Sequence, residues 1–206
     1  MEATTGRDPT DPRGPPGLGR RAAGALLRLL GWRVEFRWPP APRCVIVVYP
    51  HTSNLDFFVG YLAKLALGLP AHFIAKDSLF RWPVAGLLRR MGGIPVNRGD
   101  PRDFIERLAE EVRRRPRMIL ALAPEGTRRH VDHWKSGFYR LALRAGVPVG
   151  LAFLDYGRKR IGVTSYLDLT GDEERDLARI RAEYQGVTGW NRGLEGEIRF
   201  RRGGAP

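Results

Sequence analysis

Cysteine is almost absent from this chain of 206 residues, which contains a single one, Cys44. A lone cysteine cannot form an intramolecular disulfide, which excludes the disulfide-rich secreted scaffolds and agrees with a reducing compartment. Cys44 opens an apolar run, and we expect it to be an inert core residue. The less favoured alternative is a nucleophilic pair of Cys44 with His51, several positions later.

Metal-ligand patterns are also scarce. His130 and His133 stand three positions apart, but beyond Asp132 no cysteine or acidic cluster completes a ligand set with them. We interpret both histidines as loop residues, and we expect neither a metal ion nor another cofactor.

Long hydrophobic runs are missing, since none reaches the roughly 18 to 20 apolar residues that a helix needs to cross a bilayer. Residues 17–32 combine arginines with leucines and end in Trp32, a pattern typical of an amphipathic helix on a membrane surface. Arg20 and Arg21 would suit a signal peptide, but Arg28 interrupts the apolar segment and no small-residue cleavage site follows. The alternative is a helix that only packs on the domain.

Acidic residues are outnumbered: 22 Asp and Glu stand against 35 Lys and Arg, which leaves a formal net charge of +13. Such a chain attracts polyanions, either nucleic acid or an anionic membrane surface. No RNA-binding pattern of aromatic and basic residues occurs, nor any helix-turn-helix or zinc-finger spacing. We therefore expect no nucleic acid partner and place the protein in the cytoplasm, peripherally associated with the inner face of the cell membrane.

A chain of 206 residues with 43% hydrophobic residues is long enough for one well-packed domain and too short for two ordinary ones. Residues 1–16, rich in glycine, proline and small polar residues, are expected to be a disordered leader. Residues 17–32 would be the membrane-surface helix, residues 33–185 the folded domain and residues 186–206 a basic tail.

Apolar runs alternate with helical periodicities along the folded domain. Strands are predicted at residues 45–49, 72–75, 118–122, 147–154 and 161–167, and helices at 57–69, 83–91, 101–115, 137–144 and 172–185. This alternation predicts a single α/β domain with a mixed, largely parallel sheet flanked by helices.

His51 and Asp56 follow the first of these strands and stand five positions apart. On a continuous helix that separation turns two side chains about 140° apart, so we place His51 in a loop and Asp56 in the first turn of the next helix. The carboxylate can then fix one imidazole nitrogen and leave the other as a base, which suits the histidine pKa of about 6.5. The alternative is a histidine that caps the helix and an aspartate that only stabilises its first turn.

A second polar cluster, residues 123–128, directly follows another predicted strand, and residues 92–98 form a third. Ligands of open parallel sheets bind at the carboxyl ends of the strands, so these loops could share one site. Arg98 could reach an anion there, and so could Lys135 just beyond the second cluster. Taken singly, each charged residue could equally belong to a loop salt bridge or be a solvated surface charge.

Together these segments resemble the four sequence blocks of the glycerolipid acyltransferase family, whose best-known bacterial members are 1-acylglycerol-3-phosphate acyltransferases. His51 and Asp56 match its His-x4-Asp motif, residues 93–98 its second block, residues 124–128 its third and residues 147–149 its fourth. The order is that of the family, and the resemblance spans residues 44–155. Departures at Ala123 and at residues 94–97 leave the acceptor open.

The resemblance implies a glycerol-3-phosphate acyltransferase-like fold and an acyltransferase domain at residues 33–185. It also implies transfer of a fatty acyl group from acyl-CoA or acyl carrier protein to a lysophospholipid hydroxyl, with 1-acylglycerol-3-phosphate favoured and phosphatidic acid as product. His51 would be the general base, held by Asp56. The resemblance assigns the acceptor site to Arg98, Glu125, Gly126, Thr127, Arg128 and Lys135.

For Glu125, three roles are open: pairing with Arg128, accepting a bond from the acceptor hydroxyl, or bonding to loop amides. Two alternatives to the whole interpretation also remain open. One is acyl transfer to another hydroxyl, such as that of a lyso-aminolipid, and the other is a non-catalytic basic protein that binds membranes or nucleic acid.

Overall fold

The computed structural model of the chain describes residues 17–96 and 101–201, without the side chains of residues 101–103. Its helices are α1 (Leu18–Leu29), α2 (Leu55–Leu67), α3 (Val84–Arg90), α4 (Pro101–Arg114), α5 (Gly137–Ala145) and α6 (Glu173–Glu183). Its strands are β1 (Arg33–Phe36), β2 (Arg43–Tyr49), β3 (Ala71–Lys76), β4 (Gly93–Val96), β5 (Met118–Leu122), β6 (Val149–Asp155) and β7 (Arg160–Leu167). A 3-10 turn, Asp77–Leu79, follows β3. The leader expected at residues 1–16 lies outside the described residues.

The seven strands form one sheet in the order β1-β7-β6-β2-β5-β3-β4. Strands β2 to β6 all run parallel, whereas β7 is antiparallel to β6 and parallel to β1. The predicted α/β class with a mixed, largely parallel sheet is therefore confirmed. The carboxyl ends of the neighbouring strands β2 and β5 lie at the same edge of this sheet.

The centre of the sheet is apolar on both faces because helices cover both sides of a parallel sheet. In β2, Cys44, Val45, Ile46 and Val47 are all buried, which explains the unbroken apolar run in the sequence. Burial raises the pKa of the Cys44 thiol to about 12. The environment of Cys44 thus favours a core residue over a nucleophile.

The helices form two layers. The chain crosses the sheet from β2 through β3 to β4 and returns through β5 to β6, so right-handed crossovers put α2 and α3 on one face and α4 and α5 on the other. Helix α1 packs on α2, where Leu27 and Val59 share a buried cluster. Helix α6 joins the second layer through Leu177 and Ile180, which share a buried cluster with α4 and α5.

The edge strands β1 and β4 were not predicted from the sequence. Both have only four residues, and β4 contains Pro95, which sheets accept at an edge because proline cannot donate to the ladder. Strand β1 lies so close to β7 that a Cβ at Gly162 would come within 1.6 Å of the Glu35 carbonyl oxygen. Strands this short show neither an alternation nor a long apolar run, and their pairing depends on distant partners.

The other predicted elements are present, with boundaries that differ by a few residues. Strand β5 coincides with the prediction, whereas α2 begins two residues earlier than predicted and ends before Gly68, which adopts the left-handed conformation at φ 66°. Asp172 caps α6 by accepting a hydrogen bond from the Arg175 amide at 3.1 Å. Among the described residues, no helix has the length and apolar character required to cross a membrane.

Candidate active site

The candidate site lies at the carboxyl ends of β2 and β5. The loop of residues 50–54 follows β2, and the loop that begins at Ala123 follows β5. These strands are neighbours, with Val47 aligned to Leu122. The His51 amide donates a hydrogen bond to Glu125 Oε2 at 2.6 Å, so the fold brings the two sequence clusters together.

His51 and Asp56 form a pair. His51 lies in the loop and Asp56 in the first turn of α2, as the five-residue separation required. Asp56 Oδ2 is 3.2 Å from His51 Nδ1, and the same oxygen accepts a hydrogen bond from the Ser53 amide at 2.8 Å. The carboxylate therefore fixes the orientation of the imidazole, and the predicted His–Asp pair is confirmed.

The second Asp56 oxygen is held by Tyr156, which sequence reasoning missed. The Tyr156 hydroxyl donates to Asp56 Oδ1 at 2.8 Å, although 100 positions separate the two residues. Burial, and then the hydrogen bond to Asp56, raise the pKa of Tyr156 well above its usual value, so the phenol remains a proton donor. The available signal was the position of Tyr156 directly after β6, a third strand that ends at the edge with the site.

Two tryptophans hold the Tyr156 ring. Trp32, just after α1, contacts it edge-on with ring centroids 4.8 Å apart, and Trp190 does so at 5.4 Å. Trp32 is buried, whereas Trp190 is exposed. The Asp56 carboxylate is thus linked through one phenol to the end of α1 and to the C-terminal segment.

The imidazole of His51 is partly exposed to solvent. Its side chain is 18% exposed, against 1% for that of Asp56. Within the part of the chain that the structure describes, Nε2 makes no hydrogen bond. A hydroxyl within about 2.6–3.2 Å of Nε2 could transfer its proton there.

Glu125 uses both carboxylate oxygens to bind backbone amides. Oε2 accepts from His51 and Oε1 from Gly196, at 2.6 and 2.7 Å. Burial raises the pKa of Glu125, while these two amide bonds oppose the shift. Three roles were left open for this residue, and the structure shows the third of them, bonding to loop amides. Its assignment to the acceptor site stays a prediction.

The rest of the second loop is turned by Gly126, whose φ of 64° lies in the left-handed region that favours glycine. Its amide bonds back to the Ala123 carbonyl at 3.1 Å. The Lys135 side chain lies directly over this turn, since a Cβ at position 126 would come 2.8 Å from Lys135 Nζ. Thr127 follows, and its hydroxyl accepts from the Arg129 amide at 3.3 Å.

Of the two arginines expected to bind phosphate, Arg128 lies within the described residues and Arg98 does not. Arg128 is exposed, and it makes no ion pair or side-chain hydrogen bond with the described residues. Arg98 lies outside the described residues, and its role stays a prediction. Side chains that could form a metal site, meaning three or more of His, Cys, Asp and Glu placed together, are not found in residues 17–96 and 101–201.

The segment after Gln185 was expected to be a basic tail. Its described part, residues 186–201, contains no helix or strand, but it packs against the site instead of standing apart. Asn191 bonds to Thr52 through its side-chain amide at 2.7 Å, and Gly196 bonds to Glu125. This part of the segment belongs to the folded domain because its contacts are made with the first and second loops.

The family model described as Acyltransferase matches residues 38–150. The chain belongs to this acyltransferase family. The match contains the His51–Asp56 pair and Glu125, whereas Tyr156 and the C-terminal segment lie beyond it.

Curated relatives of this acyltransferase-family chain include two 1-acyl-sn-glycerol-3-phosphate acyltransferases, from Neisseria gonorrhoeae and Neisseria meningitidis. Each is 29% identical over 160 residues, which are 74% of this chain and 60% of the relative. The chain thus spans 60% of the length of these relatives. A lyso-ornithine lipid O-acyltransferase from Rhodobacter capsulatus is 34% identical over 100 residues, 48% of this chain and 34% of that protein.

Among solved structures, the 1-acyl-sn-glycerophosphate acyltransferase PlsC from Thermotoga maritima is similar, with a TM-score of 0.51 and 21% sequence identity. The similarity covers 84% of this chain and 80% of that one. At 21% identity this similarity supports the α/β fold of the chain and nothing beyond the fold.

We predict that Glu125→Gln destabilises the protein by about 1–3 kcal/mol, because the glutamine NH₂ would face one of the two amide donors and leave buried groups unsatisfied. Thermal unfolding of the purified variant measures this loss. Glu195→Gln is the matched control, since Glu195 also accepts from two amides, those of Gly189 and Gly193, but is only half-buried. Equal losses in the two variants would contradict a special role for the buried carboxylate.

Proposed function

We propose that this protein transfers a fatty acyl group from a thioester to a hydroxyl of a lysophospholipid, with 1-acylglycerol-3-phosphate as favoured acceptor and phosphatidic acid as product. The observation that carries the proposal is the His51–Asp56 pair with a partly exposed imidazole, in a chain of the acyltransferase family. The donor would be acyl-CoA or acyl carrier protein. In this proposal His51 and Asp56 are the catalytic residues, and the second loop binds the acceptor.

In the proposed reaction, His51 Nε2 takes the proton of the acceptor hydroxyl while the oxygen attacks the thioester carbonyl carbon. The carbon–sulfur bond then breaks, and the imidazolium returns its proton to the leaving sulfur, so the products are an ester and a thiol. Asp56 holds Nδ1 and stabilises the imidazolium between these steps. No covalent acyl-enzyme is needed.

Tyr156 acts in this proposal as a positioning residue. Asp56 already binds the Ser53 amide and the imidazole through one oxygen, and the Tyr156 phenol fixes the other. A carboxylate bonded at both oxygens cannot rotate about its terminal bond without losing a hydrogen bond. Base catalysis depends on such orientation, because small displacements of reacting groups cost much of the rate.

The acceptor headgroup would be bound by the cations around the second loop. Arg128 and Lys135 are exposed beside the Gly126 turn, and a guanidinium binds phosphate with two parallel hydrogen bonds. Arg98, Gly126 and Thr127 complete the proposed acceptor site. Two relatives are named for a phosphate-bearing acceptor and one for lyso-ornithine lipid, so a lyso-aminolipid is the second candidate acceptor.

Thiol release from a long-chain acyl-CoA tests the proposal, measured for the wild type and His51→Ala with a panel of acceptors. The panel contains lysophosphatidic acid, a lyso-ornithine lipid and no acceptor. We expect release that requires an acceptor, is fastest with lysophosphatidic acid and falls about 10²–10⁴-fold in His51→Ala, as removal of a general base predicts.

Other outcomes of this experiment separate the alternatives. Release without any acceptor would indicate a thioesterase, and preference for the lyso-ornithine lipid would favour the second acceptor. If His51→Ala retained full turnover, or if neither acyl-CoA nor acyl carrier protein supported release, the enzyme proposal would be wrong.

We predict that Tyr156→Phe lowers kcat about tenfold with little change in either KM, since it removes one charge-assisted hydrogen bond and keeps the ring. The low-field proton signal of the imidazole Nδ1–H should also shift or broaden in NMR spectra. The matched control is Tyr184→Phe, which removes hydroxyl bonds to the Val47 and Ala152 carbonyls away from the pair. A similar fall in kcat for both variants would reduce Tyr156 to a structural role.

We predict that Arg128→Ala raises the KM for lysophosphatidic acid about tenfold and leaves kcat nearly unchanged, because a phosphate contact is present in ground and transition states alike. Arg98→Ala should behave in the same way. Arg114→Ala, an exposed arginine at the end of α4, is the control. An unchanged acceptor KM in both test variants would exclude the phosphate contact.

A further inference from the structure

Exposed hydrophobic side chains are concentrated on one of the two helical layers. This layer consists of α1, α2 and the segment of residues 77–90, which contains the 3-10 turn and α3. Six of its large hydrophobic side chains are more than half exposed: Leu18, Leu29, Phe58, Leu79, Trp82 and Leu87. We call this layer the apolar-cationic face.

The opposite layer is different. Among the described side chains of α4, α5 and α6, Leu143 is the one large hydrophobic that is exposed. The asymmetry does not follow from incomplete packing of the whole protein, because α1 and α2 bury their inner residues in one cluster and α4, α5 and α6 in another. The segment of residues 77–90 differs from these helices, since neither its 3-10 turn nor α3 contains a buried residue. The asymmetry is thus a property of one layer, and it is strongest in residues 77–90.

The charges divide in the same way. Helix α1 contains three arginines and no acid, and α2 contains Lys64 and the buried Asp56. Residues 77–90 contain three arginines and one acid, Asp77. By contrast, α4 and α6 contain four acidic residues each. The apolar-cationic face therefore combines exposed hydrophobic groups with an excess of positive charge.

Trp82 is the extreme case on this face, with 93% of its surface exposed. Leu79, Val84 and Leu87 are exposed around it in sequence, together with Arg81. A tryptophan in water loses the gain from apolar burial, whereas at a membrane interface its ring lies among lipids and its N–H stays hydrated.

The position of this segment relates it to the candidate active site. Residues 77–83 follow the carboxyl end of β3, and β3 is parallel to β5 and β2. They therefore leave the sheet at the edge where His51 lies. Leu55 and Phe58, in the first turns of α2, are exposed next to His51 in the chain.

We propose that the segment of residues 77–90, with Trp82 as its anchor, is a membrane-docking element that seats the apolar-cationic face on an anionic phospholipid bilayer. This goes beyond a single surface helix at residues 17–32, because it adds α2 and a second anchor at the site edge. A bilayer contacted there lies beside the site, so that a lipid reaches His51 without crossing bulk water. The inference does not depend on the acyl transfer proposed above.

The charge and the apolar character of this face favour an anionic bilayer over a second copy of the chain or nucleic acid. A second copy of the chain would oppose one cation-rich face with another, which repels. Nucleic acid would satisfy the arginines but offers no apolar phase for Leu29, Phe58 and Trp82. An anionic bilayer offers both, since lysines and arginines near its surface gain electrostatic energy while the apolar side chains enter the interface.

Vesicle co-sedimentation of the 206-residue chain tests the proposal. The vesicles are phosphatidylcholine alone and phosphatidylcholine mixed with phosphatidylglycerol, each at low and high salt. The test variants are Trp82→Ser, Leu87→Ser and the double variant Arg89→Ala with Arg90→Ala. Their matched controls on the opposite layer are Leu143→Ser and the double variant Arg114→Ala with Arg175→Ala.

We expect salt-sensitive binding to the phosphatidylglycerol vesicles that weakens about tenfold or more in each test variant and stays within twofold of wild type in the controls. Circular dichroism and thermal unfolding establish that every variant is folded. Equal losses in test and control variants would show unspecific attraction by net charge and overturn the proposal. So would unchanged binding of Trp82→Ser, or a dimer in solution that Trp82→Ser dissociates.

A second measurement locates the anchor directly. Lipids brominated along the acyl chain quench only tryptophans that enter the interface, so quenching should be strong in the wild type and mostly lost in Trp82→Phe. Trp190→Phe, which removes the other exposed tryptophan, should retain it. Quenching that disappears with Trp190 and persists without Trp82 would place the contact at the C-terminal segment and overturn the assignment.

Discussion

The backbone of the site depends on one buried carboxylate. Glu125 is 1% exposed, and its two oxygens accept hydrogen bonds from the amides of His51 and Gly196. These contacts join the loop after β2, the loop after β5 and the C-terminal segment, which are far apart in the chain. A buried carboxylate carries a large desolvation cost, and the charge-assisted bonds at both oxygens offset part of it, since the pKa of Glu125 stays raised. The direction of the His51 backbone, and with it that of the imidazole, follows from this arrangement.

Asp56 is the other buried acid of the site, and it too is bonded at both carboxylate oxygens. Its oxygens are shared by the Ser53 amide, the His51 imidazole and the Tyr156 phenol. The five-residue separation makes this possible, because the loop brings His51 back over the first turn of α2. Both buried acids of the site are thus used fully as acceptors, and the imidazole Nε2 is the group left available to a substrate. The two helical layers differ in their surfaces, and the apolar-cationic face meets the edge of the sheet that carries the site at the carboxyl ends of β2 and β3. A membrane on that face would therefore lie on one side of the site.

Much of the architecture was predictable from local patterns. The unbroken apolar runs of β2 and β5 predicted buried parallel strands, and the polar clusters directly after them predicted loops at a common edge. The order of four sequence blocks indicated the acyltransferase family before any geometry was known. Edge strands β1 and β4 escaped prediction because four residues carry no periodicity, and Pro95 argued against a strand until its edge position was known.

The site itself divides along the same line. The sequence alone determined the His51–Asp56 pair, because its spacing is local and the helix that follows dictates how the two side chains meet. Only the tertiary structure decided that Tyr156 holds Asp56, that Glu125 binds two amides and that residues 186–201 pack on the loops. Those contacts join residues 71 to 139 positions apart. Local periodicity carries no information about such partners, since sheet order and helix packing determine which distant loops become neighbours.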